Sequence, residues 1–470
     1  MSFISQDQVN EVSSKLTDDL SKLGKLYKAK KGKYQTRTVD HSLVDGLLTK
    51  GWHIDKELKT KTKLIKEKTH SKEFEDDVWC QFYELGYRTL NFDETFVLPF
   101  GKDFKDKKQI DIVAINNDTV FLIECKSSKK SKKAPSYKDE FDVLRLRLDG
   151  FKKSMQQVLN RKIKIKYIFA TRNLRLVEDG DDLERLKESR SFYYNDSTYL
   201  YVNNLIKHYK NAALYQFLGL VFKNEKINDE KIEIPAIEGD MGGKKYYMFS
   251  IEPDLLLKIG FVLHRAKANE SEFPTYQRLL QPSRLKGITK FIDDGGYFPN
   301  SIIVNFSGEN KNKLHFEFSK TTKNSSSKLG VLKITNAYAI AYIIDGQHRL
   351  YGYANSQYKD SNTIPVVAFD GLDSIEQLKL FMDINENQKA VSANLRLDLE
   401  EDLYWDSAVA SSRLKALRSS IIKQMAYSQN GPLYNKISVG EERSVLSFKP
   451  FSTALLKSGL LPSAKGNKYD

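Results

Sequence analysis

The feature that most constrains this chain is an apolar hairpin with charged residues in it, QIDIVAINNDTVFLIECKSS at positions 109–128. The alternating Ile and Val residues of 109–115 predict one strand, and 120–126 predicts the returning strand. The turn is predicted at 116–118, because Asn and Asp tolerate the left-handed backbone of tight hairpins. Both strands are apolar enough to lie in the interior of a sheet.

Two acids and a lysine interrupt this apolar pattern. Asp111 lies near the start of the first strand, Glu124 near the end of the second, and Lys126 two residues later. Residues two apart in a strand point to the same face, so Glu124 and Lys126 should project together and Cys125 should point the other way. Charges beside an apolar sheet are costly unless they are compensated. We therefore predict that Asp111 and Glu124 bind Mg²⁺, or Mn²⁺ in its place.

Composition narrows the classes of protein that remain. The chain has 470 residues, a formal charge of +14 and a pI of about 9.2, which favours a polyanionic partner, DNA first. Its two cysteines cannot form a disulfide framework or a four-ligand zinc site. The sequence has neither a membrane-spanning apolar run nor a signal peptide. We expect a cytoplasmic protein with no membrane partner.

The basic segment that follows the hairpin predicts a nucleic-acid contact. Residues 127–133, SSKKSKK, are predicted to form a loop directly after the acidic cluster. Carboxylates that hold a metal repel a phosphodiester, and adjacent lysines offset that repulsion. The predicted DNA-binding residues are Lys129, Lys130, Lys132 and Lys133.

The order of strand, Asp, turn, strand and Glu-x-Lys resembles the PD-(D/E)XK nuclease superfamily, as in Mrr-like and restriction endonucleases. The resemblance covers about 71–171 and includes the predicted helix 74–86, FEDDVWCQFYELG. It implies a metal-dependent DNA endonuclease or nickase with Asp111, Glu124 and Lys126 as catalytic residues. Glu75 matches the helix carboxylate of that family, and Gln156 or Gln157 matches a helical glutamine found in some branches.

A second cluster of functional residue types lies far along the chain. The apolar segment 337–344, AYAIAYII, predicts a strand that leads into Asp345-Gly346-Gln347-His348-Arg349 and then a helix over 350–357. A glycine turn at a helix start, with His and Arg beside it, suits a phosphate group. The alternative is a helix cap with polar surface residues.

This pentapeptide resembles the signature of DGQHR-domain proteins, which include DndB-like regulators of DNA phosphorothioation and share a ParB/sulfiredoxin-like fold. The blocks 276–278, 298–302 and 381–385 resemble further parts of that family over about 250–400. The resemblance implies DNA-linked work in prokaryotes or their phages and a pocket for a nucleoside triphosphate, with ATP and CTP as candidates for binding or hydrolysis. The pocket residues are predicted to be Gln277, Arg278, Arg284, Asp345, Gly346, Gln347, His348, Arg349, Asn385 and Gln388.

The whole chain is therefore predicted to be α/β (α+β), with a PD-(D/E)XK core whose mixed sheet is flanked by helices and a ParB/sulfiredoxin-like domain with a helical C-terminal region. The predicted boundaries are a helical, basic N-terminal extension at 1–70, the nuclease-like domain at 71–223, a linker at 224–245 and the DGQHR domain at 246–470. The predicted function is conditional DNA cleavage in DNA modification or anti-phage defence. The alternatives are a non-catalytic DNA-binding regulator and an RNA-processing nuclease. A homo-oligomer, or partner proteins of a defence system, would fit either role.

Overall fold

A computed structural model describes residues 2–92, 95–103, 105–177, 180–263, 280–306, 313–388, 393–428, 431–439, 444–465 and 468–469. The chain forms two compact units, Met1–Ile206 and Lys207–Asp470. The division lies inside the segment 200–220, whose sequence alone predicts one continuous helix. That prediction is wrong, because one helix ends at Tyr209 and the next begins at Ala213.

The first unit alternates strands and helices along the chain. Its elements are α1 Gln6–Ser14, β1 Leu16–Thr17, α2 Leu20–Lys31, β2 Tyr34–Asp40, α3 Val44–Leu48, β3 His53–Glu57, β4 Lys61–Glu67, α4 His70–Glu84, β5 Thr89–Asn91, β6 Val97–Pro99, β7 Lys107–Gln109, β8 Ile112–Ile115, β9 Thr119–Lys133, α5 Lys138–Leu159, β10 Lys164–Arg175, α6 Asp181–Glu188, β11 Phe192–Tyr194 and α7 Asp196–Tyr209, of which residues 207–209 belong to the second unit.

A six-stranded mixed sheet organises this unit, in the order β1-β5-β8-β9-β10-β11. The strands β8 and β9 pair antiparallel as the predicted hairpin, whereas β9 and β10 are parallel. Parallel neighbours need a long crossover, and α5 supplies it. Val120 and Leu122 of β9 pack in the core beside α5 residues. Phe121 points to the opposite face and contacts Phe82 of α4, with ring centroids 5.5 Å apart. Helices therefore cover both faces of β9.

The hairpin differs from its prediction in two details. Its first strand begins at Ile112, so Asp111 lies just before β8 rather than within it. The turn has no positive φ at 116–118. Instead, Asn116 Oδ1 accepts the backbone N–H groups of Asp118 and Thr119, at 3.0 and 2.7 Å. This side-chain contact closes the turn without left-handed backbone.

The predicted basic loop at 127–133 is wrong, because β9 continues to Lys133. Ser127 pairs with Arg172 and Lys132 with Leu174, so residues 128–131 bulge opposite the single residue Asn173. The extra residues lengthen β9 without ending its pairing. The lysine-rich segment is thus attached to the sheet at both ends.

The prediction of a helical extension at 1–70 is also incomplete. The strands β2, β4 and β3 form an antiparallel three-stranded sheet in this segment. In addition, β1 pairs with β5 at the edge of the six-stranded sheet. The segment is therefore part of the first unit.

The second unit begins with short helices and continues into a large sheet. Its elements are α8 Ala213–Val221, β12 Lys226–Met241, β13 Lys244–Ile251, α9 Pro253–Ile259, β14 Gly260–Phe261, α10 Pro282–Asp293, β15 Ile302–Phe306, β16 Leu314–Thr322, β17 Ser325–Ala337, β18 Ala341–Asp345, α11 Gln347–Tyr353, β19 Ile364–Asp370, α12 Ser374–Gln388, α13 Ala393–Tyr404, α14 Ala410–Tyr427, β20 Ile437–Ser438, β21 Leu446–Ser447, α15 Phe448–Lys457, β22 Ala464–Lys465 and β23 Lys468–Tyr469.

Eight strands form this mixed sheet, in the order β14-β18-β15-β19-β13-β12-β17-β16. The predicted linker at 224–245 is wrong, because most of it is β12, which pairs with β13 and β17. Its alternate residues Ile232, Ile234 and Ala236 are buried. This alternation is the burial pattern of a strand with one face on a core.

The DGQHR segment lies where β18 turns into α11. The strand β18 starts only at Ala341, because Ala339 has a φ of 54° and separates it from β17. Helices α12 to α15 follow, which agrees with the predicted helical C-terminal region. Within the described part of the chain, no helix has the length and apolarity needed to cross a bilayer.

Candidate active site

The sheet brings together three of the four predicted catalytic residues. Lys126 Nζ lies 2.6 Å from Glu124 Oε1, so both side chains project from the same face of β9 as predicted. Asp111 Oδ2 accepts the backbone N–H of Cys125 at 2.8 Å, which holds this carboxylate beside the second strand. The acids and the lysine therefore meet at the point where β8 begins and β9 leaves the apolar core.

The two carboxylates interact electrostatically. Burial, and then the charge of Glu124, raise the pKa of Asp111 to about 6, although the Cys125 N–H and the charges of Lys126 and Lys108 oppose this rise. Glu124 is 7% exposed, and its Oε2 atom is buried without a hydrogen bond. Two neighbouring carboxylates, one of which has an oxygen without a hydrogen bond, form a negatively charged site.

These residues fit a divalent cation. A cation between Asp111 and Glu124 would relieve their repulsion and coordinate Glu124 Oε2, which makes an ion pair but no hydrogen bond. No cluster of three or more His, Cys, Asp or Glu side chains suited to a metal occurs in the described ranges. The protein would thus supply two carboxylates, which suits Mg²⁺ because this ion keeps several waters and also accepts phosphate oxygens.

A second lysine reaches this site and was missed by sequence reasoning. Lys108 Nζ, from β7, lies 3.2 Å from Glu124 Oε2 and 2.8 Å from Glu140 Oε1 at the start of α5. It also donates to the Tyr167 hydroxyl at 3.2 Å. Burial, followed by the charges of Glu124 and Glu140, raises the pKa of Tyr167 well above its ordinary value. Only the fold brings these groups together. The position of Lys108, three residues before Asp111, is the one sequence signal that could have placed it near the site.

Glu75 lies on a different helix from Glu140. It belongs to α4, which packs on the Phe121 face of β9, and its carboxylate lies 3.5 Å from Lys72 Nζ. Its charge helps to raise the pKa of Cys125, after burial and Asp111. Cys125 lies four residues after Phe121 in β9, so it points to the α4 side and away from Glu124 and Lys126, as predicted, and Glu75 lies on that side. The helix carboxylate linked to Glu124 through a lysine is Glu140.

One of the two glutamines suggested for the site, Gln157, has another role. Gln157 Oε1 accepts the backbone N–H groups of Phe3 and Ile4, at 2.7 and 3.0 Å, and its Nε2 donates to the carbonyl of Ile4. These bonds attach the N-terminal residues to α5. They identify Gln157 as a structural residue.

The predicted DNA-binding lysines are exposed and lie beyond Glu124 and Lys126 on β9. Lys129 and Lys130 lie in the bulge, and Lys132 and Lys133 in the paired segment that follows. A strand rises about 3.3 Å per residue, so these lysines begin roughly 10 Å past Lys126 at most. A phosphate backbone at the acids could extend along them.

In the second unit, the first and last residues of the pentapeptide pair with each other. Arg349 Nη2 lies 2.8 Å from Asp345 Oδ2, and Nη1 donates to the carbonyl of Asn300 at 2.5 Å. Gly346 has a φ of 92°, and a Cβ there would lie 2.5 Å from Ile302 Cδ1. The pentapeptide is therefore a tightly built corner in which Arg349 is already engaged.

The other predicted pocket residues are placed only in part. Burial, and then the charge of Arg284, lower the pKa of His348 to about 4, so this imidazole is neutral at physiological pH. Gln347 Oε1 accepts from the Tyr209 hydroxyl at 3.3 Å. Gln277 and Arg278 lie outside the described residues. Asn385 and Gln388 belong to α12, but their side chains lie outside the description.

The family match found by comparison with known proteins lies in the second unit. Residues 234–424 match the DndB family, described as DNA-sulfur modification-associated. This match includes the pentapeptide and the large sheet of the second unit, except for the first eight residues of β12. No curated protein matches the chain.

One solved structure, protein VC1899 from Vibrio cholerae, matches with 11% identity and a TM-score of 0.21. The match covers 44% of this chain and 56% of that protein. A likeness this distant carries no argument about fold or function.

Proposed function

We propose that this chain is a metal-dependent DNA phosphodiesterase that acts alongside DNA-sulfur modification. The observation that carries the catalytic part is the convergence of Asp111, Glu124 and Lys126 at one end of a buried hairpin. The match of 234–424 to a DNA-sulfur modification-associated family supports the biological setting. The positive charge of the chain suits a DNA substrate.

In this proposal Asp111 and Glu124 hold Mg²⁺ or Mn²⁺. A bound divalent ion would make a water nucleophilic and neutralise charge on the phosphate. Glu124 is fixed by its contact with Lys126, and Asp111 by the N–H of Cys125. The protein therefore presents both carboxylates before any substrate arrives, which reduces the cost of ordering them.

Lys126 is suited to an electrostatic role. Burial alone would lower its pKa, but the charge of Glu124 and the hydrogen bond to it outweigh burial and raise the pKa above its usual value. The ammonium group stays protonated at neutral pH. It can orient the attacking water or stabilise the charge of the pentacovalent phosphate, and it is a poor general base.

A plasmid cleavage assay tests the proposal on DNA with and without phosphorothioate linkages. Wild-type protein should cleave with Mg²⁺ or Mn²⁺ and not with EDTA, and Asp111→Asn and Lys126→Met should each lose at least about a hundredfold in rate. The matched controls are Asp118→Asn in the exposed turn and Lys162→Met before β10. Undiminished cleavage by either site variant contradicts the assignment. Labelled RNA as competitor tests for an RNA substrate.

The second candidate is a non-catalytic DNA-binding regulator of the DndB type, which the match over 234–424 favours. Such a protein would bind DNA in a mobility-shift assay but leave plasmid intact with every cation. Asp111→Asn would then leave DNA binding unchanged or strengthen it, because the variant removes a negative charge near the phosphate backbone of the DNA.

Nucleotide binding by the second unit is part of the proposal. Arg349 is occupied by Asp345 and Asn300, so Arg284, which is exposed, and the neutral His348 are the better candidate contacts. Adding ATP or CTP to the cleavage assay tests this. If the pocket controls cleavage, His348→Ala should change the nucleotide dependence and leave metal binding intact.

A further inference from the structure

The side chain of Lys108 lies between two carboxylates in the proposed active site. Its Nζ atom is 3.2 Å from Glu124 Oε2 and 2.8 Å from Glu140 Oε1. Its side chain is 18% exposed and that of Glu124 is 10% exposed, so water screens this contact weakly. Lys108 is therefore in strong electrostatic contact with an acid that the proposed function assigns to the cation.

The contact with Glu124 is the weaker of the two. Glu124 Oε2 has no hydrogen bond although Lys108 Nζ is near, which shows that the ammonium is poorly aligned with it. By contrast, Lys108 donates hydrogen bonds to Glu140 at 2.8 Å and to the Tyr167 hydroxyl at 3.2 Å. All three contacts are made from one position of Nζ, so the ammonium can move away from Glu124 and still keep its hydrogen bonds to Glu140 and Tyr167.

We propose that Lys108 neutralises Glu124 when the cation is absent and withdraws to Glu140 and Tyr167 when a divalent cation binds Asp111 and Glu124. This inference rests on the cation site proposed above. Lys108 and Glu140 are then positioning residues that set cation affinity in opposite directions. Lys108 competes with the cation for Glu124, and Glu140 draws Lys108 away.

Electrostatics gives the sign of each effect. Without Lys108, Asp111 and Glu124 repel each other and the cation meets no competing ammonium, so the cation should bind more tightly. Without the charge of Glu140, Lys108 should remain at Glu124 and the cation should bind more weakly. Glu140 acts through Lys108, so its removal should have little effect once Lys108 is gone.

Mn²⁺ binding by the full chain, measured by calorimetry without DNA, tests this inference. Relative to wild type, Lys108→Met should bind Mn²⁺ at least about fivefold more tightly and Glu140→Gln at least about threefold more weakly. The double variant should match Lys108→Met. The matched controls are Lys152→Met and Asp139→Asn on the exposed side of α5, which change the net charge equally. Lys108→Arg should restore wild-type affinity.

Thermal unfolding gives a second measurement. In EDTA, Lys108→Met should have a lower Tm than wild type, and saturating Mn²⁺ should raise its Tm by more than it raises that of wild type. Weaker or unchanged Mn²⁺ binding by Lys108→Met, or an effect of Glu140→Gln that persists in the double variant, overturns the inference alone. If wild type binds no Mn²⁺, or Asp111→Asn binds it as tightly, the cation site and this inference both fail.

Discussion

Arg349 Nη2 and Asp345 Oδ2 lie 2.8 Å apart, so the pentapeptide that resembles a ligand-binding signature is held together by its own ends. The same guanidinium donates to the carbonyl of Asn300. Hydrogen bonds to charged groups contribute about 1.5–3 kcal/mol each. The contacts of Arg349 therefore stabilise the second unit, whether or not the pentapeptide binds a ligand.

Replacing this arginine should destabilise the protein. We expect Arg349→Gln to lower the free energy of unfolding by about 2–4 kcal/mol, because it leaves Asp345 without its charged partner. Arg284→Gln, at an exposed position, should change it by less than about 0.5 kcal/mol. Urea unfolding of both variants measures the difference. A stable Arg349→Gln protein that lost only nucleotide binding would show that the arginine serves the ligand.

The low pKa of His348 predicts how the stability of the protein depends on pH. Its pKa is lowered from 6.5 to about 4, so the unfolded chain binds this proton more readily than the folded one. The stabilisation from keeping His348 neutral is complete above pH 6.5 and is lost as the pH falls toward 4, by about 3 kcal/mol at most. His348→Gln should flatten this part of the stability curve, measured by urea unfolding from pH 7.5 to 4. The exposed His315→Gln should leave its shape unchanged.

The lysines of β9 should contribute to DNA affinity through phosphate contacts. Replacing Lys129, Lys130, Lys132 and Lys133 with Gln should weaken DNA binding and reduce the slope of log K against log salt by about 3–4, if each contacts one phosphate. Fluorescence anisotropy at several salt concentrations measures this slope. An equal loss from replacing the exposed lysines 50, 56, 59 and 61 would show that the contact is not localised to β9.

Asp76 should be essential for the stability of the first unit. Its carboxylate, 4% exposed, pairs with Lys30, Lys68 and Lys72 at 2.7, 2.8 and 3.1 Å. Removing one partner of such a network leaves buried charges unpaired, so Asp76→Asn should cost about 3–5 kcal/mol in urea unfolding. Glu73→Gln, exposed in the first turn of the same helix, should cost less than about 1 kcal/mol.

The pH dependence of this network has the usual sign for an acid. Burial alone would raise the pKa of Asp76, but Lys30 and Lys72 outweigh burial, and the pKa is lowered from 3.8. The stabilisation is present above pH 3.8 and is lost as the pH falls through the lower value of the folded state. An Asp76→Asn protein that kept wild-type stability at pH 7 would show that the three lysines do not need this carboxylate.

Two glycines in helices should respond to alanine with opposite signs. A Cβ at Gly150 of α5 would lie 1.8 Å from the carbonyl oxygen of Phe100, whereas one at Gly287 of α10 meets nothing within 4 Å. Gly150→Ala should therefore destabilise by about 1–2 kcal/mol despite the higher helix propensity of Ala. Gly287→Ala should stabilise by about 0.5–1 kcal/mol. Thermal unfolding distinguishes them, and stabilisation by both would mean that α5 can move away from Phe100.

The sequence predicted those parts of the site that lie close together in the chain. Asp111, Glu124 and Lys126 belong to one hairpin, and strand periodicity is enough to bring Glu124 and Lys126 to one face. Glu140 could not be found in this way, because its relation to Glu124 depends on how α5 packs against the sheet. Helix spacing in the sequence does not specify that geometry.

The largest error in the fold came from competing local signals. In 226–241 the alternation of Ile232, Ile234 and Ala236 was a strand signal, but Pro235 and the following Gly242 suggested a linker. The structure places Pro235 opposite Val331 within the pairing of β12 and β17. Tertiary pairing thus outweighed residues that weaken a strand locally.

This strand has a practical consequence for dividing the protein. A fragment that ends or begins within 226–241 would lose a strand with partners on both sides and expose the edges of β13 and β17. Unpaired edges of this kind promote aggregation. If fragments cut within 226–241 are insoluble, the cause would therefore be the broken sheet. Fragments divided near Tyr209 keep each sheet whole, so they are the ones to use when activities are assigned to the two units.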